Sequence, residues 1–345
     1  MTNIKSKNRI IWIDIAKAIC ILLVVITHSS YCNDIFRVIF EPFFLALFFF
    51  LSGYVYSDKY EFKDFLIKKI KTIIVPWFIF GVINILLSQC FSFNTHKSLQ
   101  EEFIGMICQI RGFNDECWFL ACLFISFIPF YFIIKWFKEK SILITFILSV
   151  FSIIYCKYAR INLFGLNTNH LPWHIQTIGI VDFFLTIGYY YKIKYEVIIN
   201  RYMNSIGLLV TMIVYSAIAY VNYCYTKTIV SINAYNANIC IWYVLSILGI
   251  LAAVYSIKKI PNNKFLSFIG TNSILYYCMH GKVLSILEAI LSKVGVYNVV
   301  CGKIIGEIFS VVGISICVSI ILIIPCIIIN KYFPFIIGRE YKKRS

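Results

Sequence analysis

The chemistry open to this chain rests on a few ionisable residues set inside apolar runs. Asp14, Lys17, His28, Glu41, Asp182, His280 and Glu307 lie within such runs, and Glu116 lies at the edge of one. A charge at the centre of a bilayer-spanning helix costs at least ~2.5–3.5 kcal/mol on insertion scales, so each is a functional candidate. Three of them share one stretch, "WIDIAKAICILLVVITHSS", residues 12–30. Lys17 and His28 are 11 residues apart. At about 100° per residue they fall within ~20° of one face, separated by about 16 Å along the axis. Asp14 stands at i,i+3 from Lys17, in range of an ion pair. The helix therefore presents a basic group toward one end and an imidazole toward the other, in one line. That suits a ligand that enters from one side and reacts near the other. Each residue alone has a plainer reading. Lys17, about one and a half turns into the helix, can snorkel to headgroups, and His28 can be a hydrogen-bonded residue at the interface.

The elements that must position these groups follow from composition. Of the 345 residues, 60% are hydrophobic and 14% charged, and the mean hydropathy is +0.82. Soluble domains carry about 25% charged residues. Several runs reach the roughly 20 apolar residues that cross ~30 Å of hydrocarbon, and no ~10-residue alternation marks a β-barrel. The expected fold is an all-α polytopic membrane protein with about ten transmembrane helices: 11–30, 37–57, 72–91, 118–134, 141–157, 173–191, 205–225, 239–257, 265–284 and 304–329. With both termini cytoplasmic, the inner segments carry 22 Lys and Arg and the outer ones 9, with Lys17 in the membrane. This is the positive-inside pattern. It accounts for the net charge of +16 by topology and anionic lipid contact, and leaves nucleic-acid binding without support. Segment 58–71, with Phe62, Phe65, Leu66 and Ile70 at helical spacing, is expected to lie along the inner surface. The basic lead lacks a cleavage site, so the first helix is expected to remain as a span. Residues 1–345 are expected to form a single membrane domain. The 13 cysteines include no CxxC pair and lie mostly in apolar runs, which assigns neither disulfides nor a metal.

The first helix resembles that of the integral-membrane acyltransferase 3 family, which includes O-acetyltransferases of bacterial surface glycans. The resemblance is carried by a short basic lead, Trp12-x-Asp14, and Lys17-x10-His28, with Lys where many members have Arg. "FFLALFFFLSGYVYS" resembles the family's Phe-rich run, with Phe-Leu-Ser-Gly-Tyr at Phe50 to Tyr54. "KKIKTIIVPWF" resembles its basic cluster before a Pro-aromatic pair, and "ECWFLACLF" and "GTNSILYYCMH" match later elements. The resemblance implies transfer of an acyl group, usually acetyl, from cytoplasmic acyl-CoA to a sugar hydroxyl of a lipid-linked or exported glycan. No permanently bound cofactor or metal is implied, and acetyl-CoA is the donor substrate. Its expected partners are acyl-CoA, the glycan acceptor and the bilayer. The expected location is the cell membrane, and the Lys/Ile/Asn/Tyr/Phe richness hints at an AT-rich bacterial gene.

On that reading His28 is the reacting imidazole, as general base or acyl acceptor, with Lys17 and Asp14 on its helix. Lys68, Lys69 and Lys71 are candidates for the phosphates of acyl-CoA. His280 is expected to orient the acceptor or stabilise the oxyanion. Glu41, Glu116 and Trp118 are candidates for acceptor contact. Asp182 is expected to pair with a cation on a partner helix, and Glu307 to serve helix packing. His96, His170 and His174 are expected to be bland loop histidines. A transporter or flippase of lipid-linked glycans is the alternative, but it predicts Gly/Pro-interrupted helices in matching halves, which the sequence does not show. A glycan polymerase would carry a large outer loop, and the longest here is 92–117.

Overall fold

The computed structural model describes residues 9–91, 98–109, 116–159, 161–163, 166–168, 170–227, 229, 238–294 and 304–339. The basic residues of 1–8 and 340–345, together with His96, Lys97, Arg111, Arg160 and Lys303, lie outside the described residues. In chain order the helices are α1 (Ile11–His28), α2 (Asp34–Phe40), α3 (Phe44–Tyr54), α4 (Phe62–Lys69), α5 (Val75–Phe91), α6 (Leu99–Cys108), α7 (Trp118–Phe137), α8 (Ser141–Tyr158), α9 (Ile178–Tyr190), α10 (Glu196–Tyr202), α11 (Ser205–Thr226), α12 (Ile239–Lys258), α13 (Lys264–Thr271), α14 (Ser273–Lys293), α15 (Ile304–Ile321) and α16 (Ile323–Tyr332). One short antiparallel hairpin, Ile161–Leu163 with Leu166–Thr168, interrupts an otherwise all-α protein.

Eight helical stretches among the described residues are long and apolar enough to cross a membrane. The sequence reading has about ten, and the difference has two sources. One stretch, Trp118–Tyr158, is 41 residues long. It breaks at Lys138, whose φ is 45°, and its two arms both pack on α9. Cys122, early in α7, meets Thr177 Oγ1 at 3.1 Å, whereas Glu139, just past its end, accepts from Lys194 at 2.8 Å. Cys156, late in α8, reaches the Gln176 carbonyl at 3.8 Å. So α7 runs parallel to α9 and α8 runs back. The other source is the predicted span at 173–191: there α9 runs on through a π turn, Tyr191–Tyr195, into α10, and this stretch is not among the eight.

Three predicted spans are interrupted: at residues 41–43 between α2 and α3, at Asn272 between α13 and α14, and at Leu322 between α15 and α16. The expected surface helix at 58–71 is not separate. Helix α4 runs through a π turn, Ile70–Ile74, into α5. Its apolar face is covered by α7, with Phe65 stacked on Tyr131 at 5.3 Å and Phe62 against Phe132 at 4.8 Å.

The core is apolar but holds several charged groups, and the exterior is apolar too. Large side chains such as Phe151, Ile206, Leu209, Phe309 and Ile324 are exposed, while Asp14, Asp182 and His280 are buried. That distribution suits a protein whose solvent is hydrocarbon. Helix α1 lies at the centre, with 12 of its 18 residues buried. Close approach there depends on Gly270 of α13, where a Cβ would sit 1.7 Å from the Asp14 carbonyl oxygen. The α3–α9 crossing is built in the same way. A Cβ on Gly53 would lie 1.9 Å from the Leu185 carbonyl oxygen, and one on Gly188 would lie 2.0 Å from that of Phe50.

Candidate active site

Helix α1 carries both ends of the site. At its start Asp14 is held by Arg9, whose Nε donates to Oδ2 and whose Nη2 donates to Oδ1 at 3.0 Å. The expected Asp14–Lys17 pair does not form. The guanidinium fork occupies both carboxylate oxygens from the non-helical residues before α1, and Lys17 faces a cavity instead.

That cavity has a volume of about 210 Å³, and its lining includes Lys17, Ser52, Lys69, Phe119, Phe127 and Tyr277. Lys69 comes from the last turn of α4, and the π turn that follows adds Thr72 and Ile73 to the wall. Such π turns recur at functional sites because the extra residue re-aims the side chains around it. The Lys69 ammonium lies 3.4 Å from the ring centroid of Phe127. Among the described residues neither Lys17 nor Lys69 has a carboxylate within ion-pair distance. Two lysines thus line a largely apolar cavity without a carboxylate partner, an arrangement suited to an anionic ligand.

Tyr277 of the cavity lining lies toward the C-terminal end of α1. The Phe119 amide donates to the Tyr277 hydroxyl at 3.1 Å, and that hydroxyl donates to the Glu116 carbonyl at 3.1 Å. One turn on, His280 lies 6.0 Å from Tyr277 and 5.4 Å from His28, edge to face with the latter. His280 is buried and His28 is exposed. The Nδ1 atoms of both rings contact main-chain carbonyls, Val24 O at 2.7 Å for His28 and Tyr277 O at 2.6 Å for His280. A carbonyl only accepts, so each Nδ1 carries hydrogen, and in the neutral ring Nε2 is then the acceptor. Both imidazoles are therefore set with the basic nitrogen away from the backbone.

The chain after His28 is anchored by Glu288 of α14. Its Oε1 accepts from Ser29 Oγ at 2.6 Å and from the Ser30 amide at 3.0 Å, and its Oε2 accepts from Ser30 Oγ at 2.9 Å. Sequence reasoning did not single out Glu288, Tyr277 or Arg9. One signal was present: Tyr277 and Glu288 are 11 residues apart, the same one-face spacing as Lys17 and His28.

The remaining candidates disperse. Lys68 contacts Tyr60, with Nζ 3.5 Å from its hydroxyl, and the Lys71 side chain is exposed. Glu116 pairs with Lys282 at 2.7 Å, beside the Tyr277 contact. Trp118 packs 5.0 Å from His174, which is buried. Glu41 pairs with Arg37 at 3.4 Å. Asp182 is fully buried, and among the described residues neither of its oxygens has a partner, so the expected cation on a neighbouring helix is not there. Among the described residues no cluster of three or more His, Cys, Asp or Glu could hold a metal ion.

Compared with known families, residues 10–327 match the acyltransferase 3 model, described as an acyltransferase domain. No curated protein and no solved structure gives a significant match.

Proposed function

The chain belongs to this membrane acyltransferase family, and from that premise we propose that it moves an acyl group, acetyl by family resemblance, from cytoplasmic acyl-CoA to a sugar hydroxyl of a surface or lipid-linked glycan at the cell membrane. The observation that carries the proposal is the line from the uncompensated lysines to the histidine pair. Lys17 and His28 are about 16 Å apart along α1. The pantetheine arm of acyl-CoA runs through about twelve bonds, the length of four extended residues, or roughly 13–14 Å. Diphosphate at Lys17 and Lys69 brings the thioester within about one further bond of the histidines. Both termini face the cytoplasm in this reading, which puts the lysine end of α1 on the side where acyl-CoA is made.

The chemistry then follows from the two rings. A sugar hydroxyl is a poor nucleophile until its proton is accepted as it attacks. His28, exposed at the outer end, accepts that proton at Nε2 while the hydroxyl oxygen attacks the thioester carbonyl carbon. Such general-base assistance contributes typically 10²–10⁴-fold. As the tetrahedral intermediate collapses, the C–S bond breaks and the thiolate takes the proton back from the imidazolium. His280 stands beside His28 and orients it. Lys17 and Lys69 hold the donor, and Tyr277 marks the passage between the two ends.

The test is transfer from radiolabelled acetyl-CoA in membranes carrying the wild type or a His28→Ala variant, with glycolipid and polysaccharide extracted and counted. Label in the wild type alone supports the reading. A His28→Ala variant that is normally inserted and fully active refutes the role of His28. No label in either, with the native glycans present, refutes the acetyl-CoA donor.

A further inference from the structure

A second cavity, of about 690 Å³, opens beside the first and is bounded by Tyr56, Asp58, Lys59, Tyr60, Tyr189 and Lys192. It lies just past the end of α3 and at the end of α9, the same end of the bundle as Lys69. The two adjoin in the chain, Val55 lining the first and Tyr56 the second. Tyr56 stands edge-on to Phe65 at 5.6 Å, and the Lys69 ammonium lies 5.4 Å from that same Phe65 ring.

Its walls are fixed. Tyr56 and Tyr189 meet edge to face at 5.6 Å, the Tyr189 hydroxyl donates to Asp58 at 3.1 Å, and the Tyr131 hydroxyl donates to the Tyr60 carbonyl at 3.1 Å. Its charge is basic. Lys59 and Lys192 line it, Lys68 lies 4.6 Å from the Tyr60 ring, and Asp58 is the one carboxylate in the lining. Tyrosine faces beside lysines recognise a ligand that is both aromatic and anionic.

The two volumes divide the labour. Pockets that take drug-sized ligands run about 300–1,000 Å³. At about 210 Å³ the lysine cavity takes a chain rather than a whole cofactor, so the bulky end of a long donor must lie outside it. We propose that the second cavity binds the nucleotide end of the acyl donor, a phosphorylated adenosine, with Tyr56, Tyr60 and Tyr189 against the base and Lys59, Lys68 and Lys192 against its 3′-phosphate, while the diphosphate runs on to Lys17 and Lys69. This deepens the acyl-CoA reading and rests on it.

The experiment measures radiolabelled adenosine 3′,5′-bisphosphate binding to the purified full chain in phosphatidylcholine vesicles. A Lys59→Ala/Lys192→Ala variant removes two exposed side chains and leaves the walls in place. Its Kd is expected to rise at least tenfold, whereas Lys140→Ala, an exposed lysine outside both cavities, leaves Kd unmoved. In transfer assays the double variant raises KM for acetyl-CoA at least tenfold and changes kcat/KM for S-acetylpantetheine, which has no nucleotide, less than twofold. Equal binding by wild type and double variant overturns the proposal. So does displacement of the probe by phosphatidylglycerol and not by unlabelled nucleotide, which would assign the cavity to a lipid headgroup. Wild-type transfer from acetyl-CoA with an unmoved KM in the double variant overturns the nucleotide site alone. Nucleotide binding without any transfer from acetyl-CoA overturns the donor reading instead.

Discussion

Glu288 offers the sharpest test of how the His28 end of α1 is held. It fixes the two residues after His28 through three hydrogen bonds, of 2.6, 3.0 and 2.9 Å. Hydrogen bonds to a charged acceptor contribute ~1.5–3 kcal/mol each when shielded, and neutral ones ~0.5–1.5 kcal/mol. Ser30 is exposed and Glu288 half-buried, so water replaces part of what is lost, and the lower figure applies. Glu288→Ala then removes about 2 kcal/mol of anchoring, and the share of molecules with His28 in line falls up to ~30-fold at 1.36 kcal/mol per decade. We expect kcat to fall ten- to thirtyfold in the acetyl-transfer assay. KM for the donor should stay within about twofold, because the proposed donor-binding end of α1, at Lys17, is about 16 Å from His28. Glu288→Gln keeps one acceptor oxygen for Ser29 and the Ser30 amide, and its amide can donate to Ser30 Oγ, so it should lose threefold or less. Wild-type kcat in Glu288→Ala would refute the clamp. A Gln variant as poor as Ala would show that charge, not anchoring, is what Glu288 supplies.

Other expectations follow from the same geometry. Lys17→Met and Lys69→Met should each raise KM for acetyl-CoA about tenfold or more, with smaller effects on kcat, and Lys17→Arg should retain most activity; steady-state kinetics decide this. Arg9→Ala leaves Asp14 buried without its guanidinium and should destabilise the protein by about 1–3 kcal/mol, less than a fully buried pair because Arg9 is largely exposed. Adding Asp14→Asn should restore most of the loss in thermal unfolding. Asp182→Asn should keep activity within about threefold, since no cation reaches the carboxyl among the described residues; a variant that inserts normally and is inactive would refute this. Burial pushes the Cys32 thiol up to about 11, partly offset by Arg37. Its thiolate, and with it the maleimide labelling seen by peptide mapping, should therefore be scarce at pH 7.5 and rise as pH approaches 11.

The legible part of the site is the part set by one helix. The Lys17–His28 line depends only on the 3.6-residue period, which holds however the other helices pack. His280 was legible by residue type, a histidine inside an apolar run, but its place against His28 comes from the packing of α14 on α1. The place of Lys71 relative to Lys68 and Lys69 was not legible, because the π turn at Ile70–Ile74 adds a residue and re-phases whatever follows Lys69. The Asp14 partner was missed for a related reason. Arg9 precedes the helix, beyond Ile10 in extended backbone, where the i,i+3 and i,i+4 rules have no force.

The same distinction explains why composition gave the fold class and not the helix count. Hydropathy measures whether a segment tolerates lipid, and every core helix here does. It does not measure whether a segment crosses. Helix α9, which runs on through a π turn into α10, has 11 of its 13 residues buried, so it is apolar because protein surrounds it. The lysine cavity shows the converse. Lys17 is tolerated in an apolar run because it faces a cavity rather than lipid, and among the described residues no carboxylate pairs with it or with Lys69. A structural lysine gains by acquiring such a partner, whereas a lysine that must receive an anion loses affinity by having one. The absence of a counter-charge at these two positions, rather than their charge alone, is what favours a binding role over a packing one.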